Sequence, residues 1–299
     1  MKIIRHPVKE KLHQPVVALG TFDGVHIGHK KVIEAAVKGA KKLKTHCAVI
    51  TFDPHPQEII APERGLRLLT TLAEREYIFC GLGVDSVIVA QFSGQMRQMS
   101  CREFVEFYLV KKLGVKAVYI GYDYAFGKER SAGPTELKKL GKEFGFSVNC
   151  VPPVKVGGTI AKSGKIREAL SSGDFSAAIK MLGRPYRLSG KVVKGHGIGK
   201  RLGFPTANLE IDERKLIPAQ GVYVGFVHGK KCVVNIGSRP TFGGSEAQIE
   251  VHILHFNRNI RGKTLEVDLF YRLREEKQFS DAQKLGEQIR KDIARATKM

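Results

Sequence analysis

Residues 16–29 read VVALGTFDGVHIGH. Four apolar residues run into a glycine-bearing turn, and the turn opens a longer stretch with helical spacing. A strand that ends in a turn and a helix is a β–α unit, and open α/β sheets bind ligands at that carboxyl edge. Gly20 and Gly24 let the backbone come close to a ligand. Gly28 falls at the helix start, where free N–H groups and the helix dipole favour phosphate. His26 and His29 are three residues apart, so both can point into one site. Two imidazoles placed there can donate hydrogen bonds to phosphate oxygens that gain charge as a nucleotide bond breaks.

Outward from this unit, the first half of the chain keeps the same texture. Apolar runs recur at Ala48–Phe52, Val84–Ala90, Val115–Gly121 and Phe146–Val151. Helical spacing fills the gaps: Lys30–Leu43, with Val32, Ala35, Ala36, Gly39 and Leu43 on one side, then Leu72–Gly81 and Arg102–Leu113. Pro134 suits the first turn of another helix, where its missing N–H costs little. Alternating strands and helices predict a parallel sheet covered on both faces.

After residue 160 the pattern changes. Two short helices are expected at Lys165–Leu170 and Phe175–Leu182. Strand-like runs follow at Arg187–Lys194, Gly221–His228, Lys231–Ile236, Gln248–Phe256 and Thr264–Leu273. Short strands with turn signals between them indicate an antiparallel barrel or sandwich, and we take the barrel. The chain closes with a helix. Ser280 and Gln283 have capping-box spacing, and Leu285, Ile289 and Ile293 form an apolar stripe to pack on the barrel. The boundary is placed near Gly183–Pro185, giving domains 1–184 and 185–299.

Composition narrows the function. The 299 residues suffice for about two domains. Lys and Arg number 50 against 29 Asp and Glu, a net charge of +21, which draws anions: nucleic acid, membrane surface or phosphorylated small molecules. The richest basic run, Lys30, Lys31, Lys38, Lys41, Lys42 and Lys44, lies on a predicted helix and reads as a solvated face. Aromatics make up 8% and no RNA-module signature stands out, so no specific nucleic acid is expected. The cysteines Cys47, Cys80, Cys101, Cys150 and Cys232 are odd in number and widely spaced, which indicates neither a zinc site nor a disulfide framework. The N-terminus lacks a signal-peptide core, and no run approaches the ~18 apolar residues that span a bilayer. A cytoplasmic protein without membrane contact is expected. Oligomeric state is left open, and self-association is compatible with the sequence.

The second informative stretch is KGHGIGKRLGFPTANLEI, residues 194–211. Gly195, Gly197, Gly199 and Gly203 make a turn whose N–H groups can surround phosphate. The glycine–lysine–serine/threonine ending of a Walker loop is missing. Pro205 fixes the backbone before Thr206 and Asn208, which face one side of an extended chain. A hydroxyl and an amide oxygen suit a hard Mg²⁺ ion that also holds ATP phosphates. On the alternating strand Gln248–Phe256, pattern alone would send Glu250 to solvent.

Both stretches resemble known families. HIGH after a first strand is similar to the signature of the nucleotidyltransferase superfamily, and FDGVHIGH looks like its FAD synthetase branch. TFDPHP (51–56) and GYDYAFGKERSAG (121–133) extend that resemblance. It implies a Rossmann-like fold in which His26 and His29 act on the reacting phosphates. Gly20, Phe22, Asp23, Gly24, Gly28, His55, Asp123 and Phe126 would line the nucleotide and flavin site. The family usually carries a serine–serine–threonine run before isoleucine–arginine. Here Ser163, Ile166 and Arg167 remain, with Gly164 in place of a hydroxyl. Ser163 and Arg167 are expected at the ATP phosphates.

GFPTANL resembles the riboflavin kinase signature. That resemblance implies that Gly195, Gly199, Lys200 and Gly203 cover the phosphates and that Thr206 and Asn208 hold Mg²⁺. Glu250 would be the catalytic base. Asn235, in Asn235-Ile236-Gly237 with Pro240-Thr241-Phe242, belongs to the next family loop, and Arg274 would contact the flavin side. Lys200 stands where the family usually has arginine, which keeps charge but loses bidentate geometry.

The reading is therefore a bifunctional flavin-cofactor enzyme: riboflavin and ATP to FMN, then FMN and ATP to FAD. The alternative is a riboflavin kinase with a degenerate N-terminal half. An RNA-binding protein, a flavin-storing protein and a class I synthetase, for which no KMSKS-like partner exists, are less favoured.

Overall fold

A computed structural model describes residues 1–5, 12, 14–195, 199, 202–241 and 244–299. They form two compact units, Met1–Ser163 and Gly164–Met299.

The first unit is a six-stranded sheet built from β1 (Lys2–Arg5), β2 (Val16–Leu19), β3 (Cys47–Phe52), β4 (Ser86–Ala90), β5 (Ala117–Gly121) and β6 (Ser147–Val151). Its order is β1-β4-β3-β2-β5-β6, and every neighbouring pair is parallel. Strand side chains alternate between faces, and two cores result. Val16, Ala18 and Val49 join the helices α1 (Ile27–Lys42) and α3 (Leu72–Gly81) on one side. Val17, Leu19 and Ile50 join α5 (Cys101–Phe104) and α6 (Pro134–Phe144) on the other. Between them in the chain lie the short α2 (Pro56–Ile60) and α4 (Gly94–Gln98). With both faces covered, β2 is fully buried along its length, worth roughly 1.5–3 kcal/mol for each of its Val and Leu side chains.

Some local expectations shift. The strand β1 was not expected, because a four-residue edge that buries Ile4 alone leaves no pattern to read. In α1 the buried set is Val32, Ile33, Ala36, Val37 and Ala40, whereas Leu43 is exposed. The helix α5 continues through Val105–Lys112 as a wider, π-type turn. A two-residue hairpin, β7 (Lys155–Val156) with β8 (Thr159–Ile160), ends the unit.

The second unit holds α7 (Ser163–Ser172) from Gly164 onward, α8 (Phe175–Leu182) and a closed antiparallel barrel. Its strands are β9 (Tyr186–Val193), β10 (Ala207–Ile211), β11 (Gly221–Val227), β12 (Lys230–Thr241), β13 (Gly244–Ile253) and β14 (Thr264–Arg274), in the order β10-β13-β12-β11-β14-β9, with β9 paired to β10. Closure removes the free edges that would otherwise invite pairing with another chain. The strand β10, absent from the sequence reading, supplies the closing pair.

The terminal helix is α9 (Ala282–Lys298). Asp281 caps it, not Ser280: its carboxylate accepts from Lys284 N (2.8 Å), while the Ser280 hydroxyl donates to Asp281 and accepts from Lys284 Nζ. Leu285, Ile289 and Ile293 are half-buried, while Gly286, Asp292 and Ala296 are buried. Asp292 draws the helix down at that point. It receives Arg274 Nε and Nη2, the latter at 2.7 Å, and Gln288 Nε2 at 2.9 Å.

Candidate functional site

In the first sheet the strand order reverses at β2, which has β3 on one side and β5 on the other. The crevice at such a switch point is where open α/β sheets place ligands. The loop after β2 and the loop after β5 meet there. The first is tightly bent: Phe22 has φ 52°, Gly24 φ 85° and Val25 φ 37°. A β-branched residue in the left-handed region is strained, at about 1–3 kcal/mol. The surroundings hold it. Asp23, 1% exposed, accepts from Leu69 N (3.0 Å), Thr70 N (2.9 Å) and Thr70 Oγ1 (3.0 Å). Gly24 N donates to Thr70 Oγ1 (2.8 Å), and Ser163 Oγ donates to the Asp23 carbonyl (2.8 Å).

The bend delivers His26 as the N-cap of α1. Its Nδ1 accepts from Gly28 N (3.1 Å) and His29 N (3.3 Å). A Cβ at Gly28 would lie 3.0 Å from the His26 ring and crowd it. The rings of His26 and His29 stack with centroids 3.7 Å apart. Burial pushes the His26 pKa down to about 4, against smaller opposing effects of Asp123 and Asp23. With Nδ1 accepting, the neutral ring carries its proton on Nε2. His26 is thus a neutral donor at the mouth of a helix. His29 is half-buried, with its ring edge-on to Phe22 at 5.3 Å.

Other expected residues sort themselves by placement. Asp123 is exposed, 3.4 Å from Lys162, and near enough to His26 to influence its protonation. His55 is buried and caps α2, its Nδ1 accepting from Gln57 N (3.1 Å). Phe22 and Phe126 lie in the core rather than on an open surface, Phe126 against Phe104 and Tyr124. Gly20 makes room for the Phe22 ring, 3.1 Å from where its Cβ would be. Arg167 is half-buried on α7, in the second unit.

In the barrel, Asn208 of β10 and Asn235 of β12 flank Glu250 of β13 in one row across three strands. Gln248 Nε2 donates to Asn208 Oδ1 (3.2 Å) and to Glu250 Oε1 (2.9 Å). His252, two residues along, bonds the Pro205 carbonyl through Nδ1 (2.9 Å) and holds the Pro205–Thr206 turn. Gly195 and Gly199 have no room for a Cβ: the Asn208 amide fills the first position, and the Phe204 carbonyl and Thr206 side chain fill the second. Gly203 has φ 87°. Lys200 lies outside the described residues. A cleft of ≈ 410 Å³ opens beside this turn, lined by Lys194, Gly195, Thr206, Arg258, Asn259 and Arg261 among others. That falls in the general range of small-ligand clefts. Among the described residues no cluster of three His, Cys, Asp or Glu could hold a metal. A hydroxyl and an amide oxygen pressed against a glycine turn fit Mg²⁺, which binds through one or two protein ligands plus substrate phosphates. Arg274 gives all three nitrogens to Asp292 and the Glu275 carbonyl.

The sequence reading passed over Gln248, the 256–261 segment and the Thr70–Arg75 region. Gln248 shares Glu250's face by strand alternation, so that signal was present. Arg75 is four residues before the buried Phe79 on α3, a helical spacing that predicts burial. The 256–261 segment carries no pattern at all.

Comparison with known proteins follows the two units. Residues 8–165 match the FAD synthetase family model, and residues 182–299 match riboflavin kinase. A bifunctional riboflavin kinase/FMN adenylyltransferase of Pseudomonas fluorescens is 35% identical over 99% of this chain and 97% of its own. The protein of the same name from Listeria monocytogenes is 39% identical over 93% of this chain and 90% of its own. A solved Streptococcus pneumoniae structure, described as a macrolide-efflux protein, superposes with a TM-score of 0.90 at 30% identity, covering all of both chains. That description belongs to the other protein; among the described residues here, no helix is long and apolar enough to cross a membrane.

Proposed function

The chain belongs to the family of bifunctional riboflavin kinase/FMN adenylyltransferases, and from that premise we propose how its two reactions divide among its residues. It phosphorylates riboflavin to FMN and adenylylates FMN to FAD, with ATP in both steps. Both family models match, so a kinase with a degenerate partner domain is not favoured.

We assign the kinase reaction to residues 185–299. ATP takes the cleft beside the glycine turn, with Gly195, Gly199 and Gly203 at its phosphates and Arg258 and Arg261 adding positive charge. Thr206 and Asn208 would hold Mg²⁺, which when bound offsets the negative charge of the phosphates. Glu250 takes the proton of the riboflavin 5′-hydroxyl. That oxygen then bonds to the γ-phosphorus, and ADP departs. Gln248 keeps the carboxylate and Asn208 in register. Arg274 acts on the flavin side indirectly, by anchoring α9. The single observation that carries this assignment is the shared Gln248 amide between Asn208 and Glu250.

Adenylyl transfer is assigned to residues 1–184. An FMN phosphate oxygen bonds to the α-phosphorus of ATP, and pyrophosphate leaves. His26, through its Nε2 proton, and His29 donate to oxygens that gain charge. Ser163 and Lys162 assist at the phosphates. Positioning and electrostatics supply the rate, with no covalent intermediate. Five free cysteines among the described residues support a reducing, cytoplasmic setting.

Incubation with riboflavin, ATP and Mg²⁺, followed by separation of flavins, tests the scheme. Riboflavin should give FMN and then FAD. FMN alone, with no pyrophosphate, would defeat the first-unit assignment.

A further inference from the structure

Arg75 projects from α3 and is 1% exposed. Its Nη1 donates to the Thr21 carbonyl (2.9 Å), to Thr51 Oγ1 (2.7 Å) and to the Phe52 carbonyl (3.2 Å). Thr51, itself fully buried, donates its hydroxyl to the same Thr21 carbonyl (2.8 Å). Thr21 opens the strained loop that ends in His26. Phe52 leads into the Asp53–His55 loop. One nitrogen therefore ties the loop after β2 to the last two residues of β3, from which the Asp53–His55 loop departs.

A core that only needed filling would not choose this group. Desolvation opposes the Arg75 charge, a cost that an apolar side chain at a purely space-filling position would not carry. Nor is the guanidinium fully satisfied: Nε and Nη2 have no hydrogen-bond partner among the described residues. Asp23, Asp53, Glu58 and Glu76 stabilise its charge through space, so the group is balanced by carboxylates and is not a free phosphate ligand.

We propose that Arg75 is a positioning residue for adenylyl transfer, clamping the start of the His26 loop to the end of β3 through Thr21, Thr51 and Phe52. It touches no reacting atom in this scheme. Its effect reaches the chemistry through the placement of His26, and a displacement of about 1 Å in such a group is enough to lower a rate 100-fold. The inference rests on the first unit being the adenylyltransferase, so FAD formation from FMN by the wild-type protein is measured first. Its absence would sink that assignment, whereas the variants below judge the clamp alone.

The test compares Arg75→Met, Arg75→Lys and Thr51→Val in the full chain. Arg75→Met should lower kcat for FAD formation from FMN at least tenfold, with smaller changes in KM for ATP and FMN. FMN formation from riboflavin in the same preparation should be unchanged, and the fall in kcat should exceed any loss of folded protein at the assay temperature. Arg75→Lys keeps the charge and three donors and should recover most of kcat. Thr51→Val keeps Arg75 but removes the middle link, and should lower kcat several-fold; it carries the test if Arg75→Met fails to fold. A reduced melting temperature with wild-type kcat, or wild-type kcat in folded Arg75→Met and Thr51→Val, would overturn the proposal.

Discussion

Asn208 and Glu250 are direct cross-strand partners, and one amide group, from Gln248, donates to both of their side chains. A proposed metal-side oxygen and a proposed base are thereby fixed in one row of a closed barrel, where strand pairing sets their spacing. Glu250→Gln keeps the shape of the side chain and removes its basicity. It should lower FMN formation from riboflavin by about 10²–10⁴-fold, the range of general-base contributions. FAD formation from supplied FMN should be unaffected. Flavin separation by chromatography reads both.

His29→Ala should show the opposite pattern. Removing one donor to a charge-gaining oxygen costs about 10²–10³ in kcat, so FAD formation falls by that order while FMN accumulates. His26→Ala should lose as much activity and in addition about 1 kcal/mol of stability, because the α1 N-cap goes with it. Chemical unfolding of the two variants separates these effects.

The pH dependence of the first unit follows from His26. Its pKa is 6.5 in the unfolded chain and about 4 when folded. Below 6.5 the unfolded chain takes up a proton that the native ring refuses, so the contribution to stability is complete above 6.5 and is lost as pH falls towards 4. At roughly 1.4 kcal/mol per pH unit the total is about 3 kcal/mol. His26→Asn retains an oxygen acceptor for the cap and does not titrate. Hydrogen exchange of the α1 amides should therefore quicken between pH 7 and pH 5 in wild-type protein and change less in His26→Asn, after correction for intrinsic exchange rates.

How much of this was legible in the sequence depends on the range of the interactions. The His26–His29 pair, the glycines around it and the parallel sheet were readable because strand, turn and helix lie within thirty residues. The motif puts Asp23 in the loop before α1, and its carboxylate accepts from the amides of Leu69 and Thr70, 46 and 47 positions away. The loop after β5 carries Phe126, whose ring joins the core beside Phe104. The resemblance points Arg274 to the flavin side, and its guanidinium pairs with Asp292, 18 residues on. In each case a local motif fixed where the residue sits, and a distant partner fixed which way its side chain turns. The strand β10 was missed for a related reason: five residues after a glycine turn become a strand only because β9 and β13 lie on either side.

Gly164 offers a repair experiment. A Cβ there would meet nothing within 4 Å, so Gly164→Ser can restore the hydroxyl that the resemblance associates with this position. The change should raise kcat for adenylyl transfer several-fold and steady α7 by a few tenths of a kcal/mol. Steady-state assays with FMN as substrate check it, and an unchanged rate would mean that the backbone and nearby lysines already suffice.

Removal of Asp292 tests the anchoring of α9. It is 2% exposed, and Asp292→Ala leaves the Arg274 guanidinium without its counter-charge. Breaking a buried pair from one side costs about 3–5 kcal/mol. The thermal transition of the second unit should fall accordingly, as read by calorimetry.

A mixing experiment puts two independent phosphate-handling centres in one chain most directly to the test. Glu250→Gln and His29→Ala, each supplied with riboflavin, ATP and Mg²⁺, should make almost no FAD alone. Combined in one tube they should make it readily, because FMN released by the second variant is adenylylated by the first. A mixture of folded variants that stays without FAD while FMN builds up, or either variant losing both activities, would contradict the account.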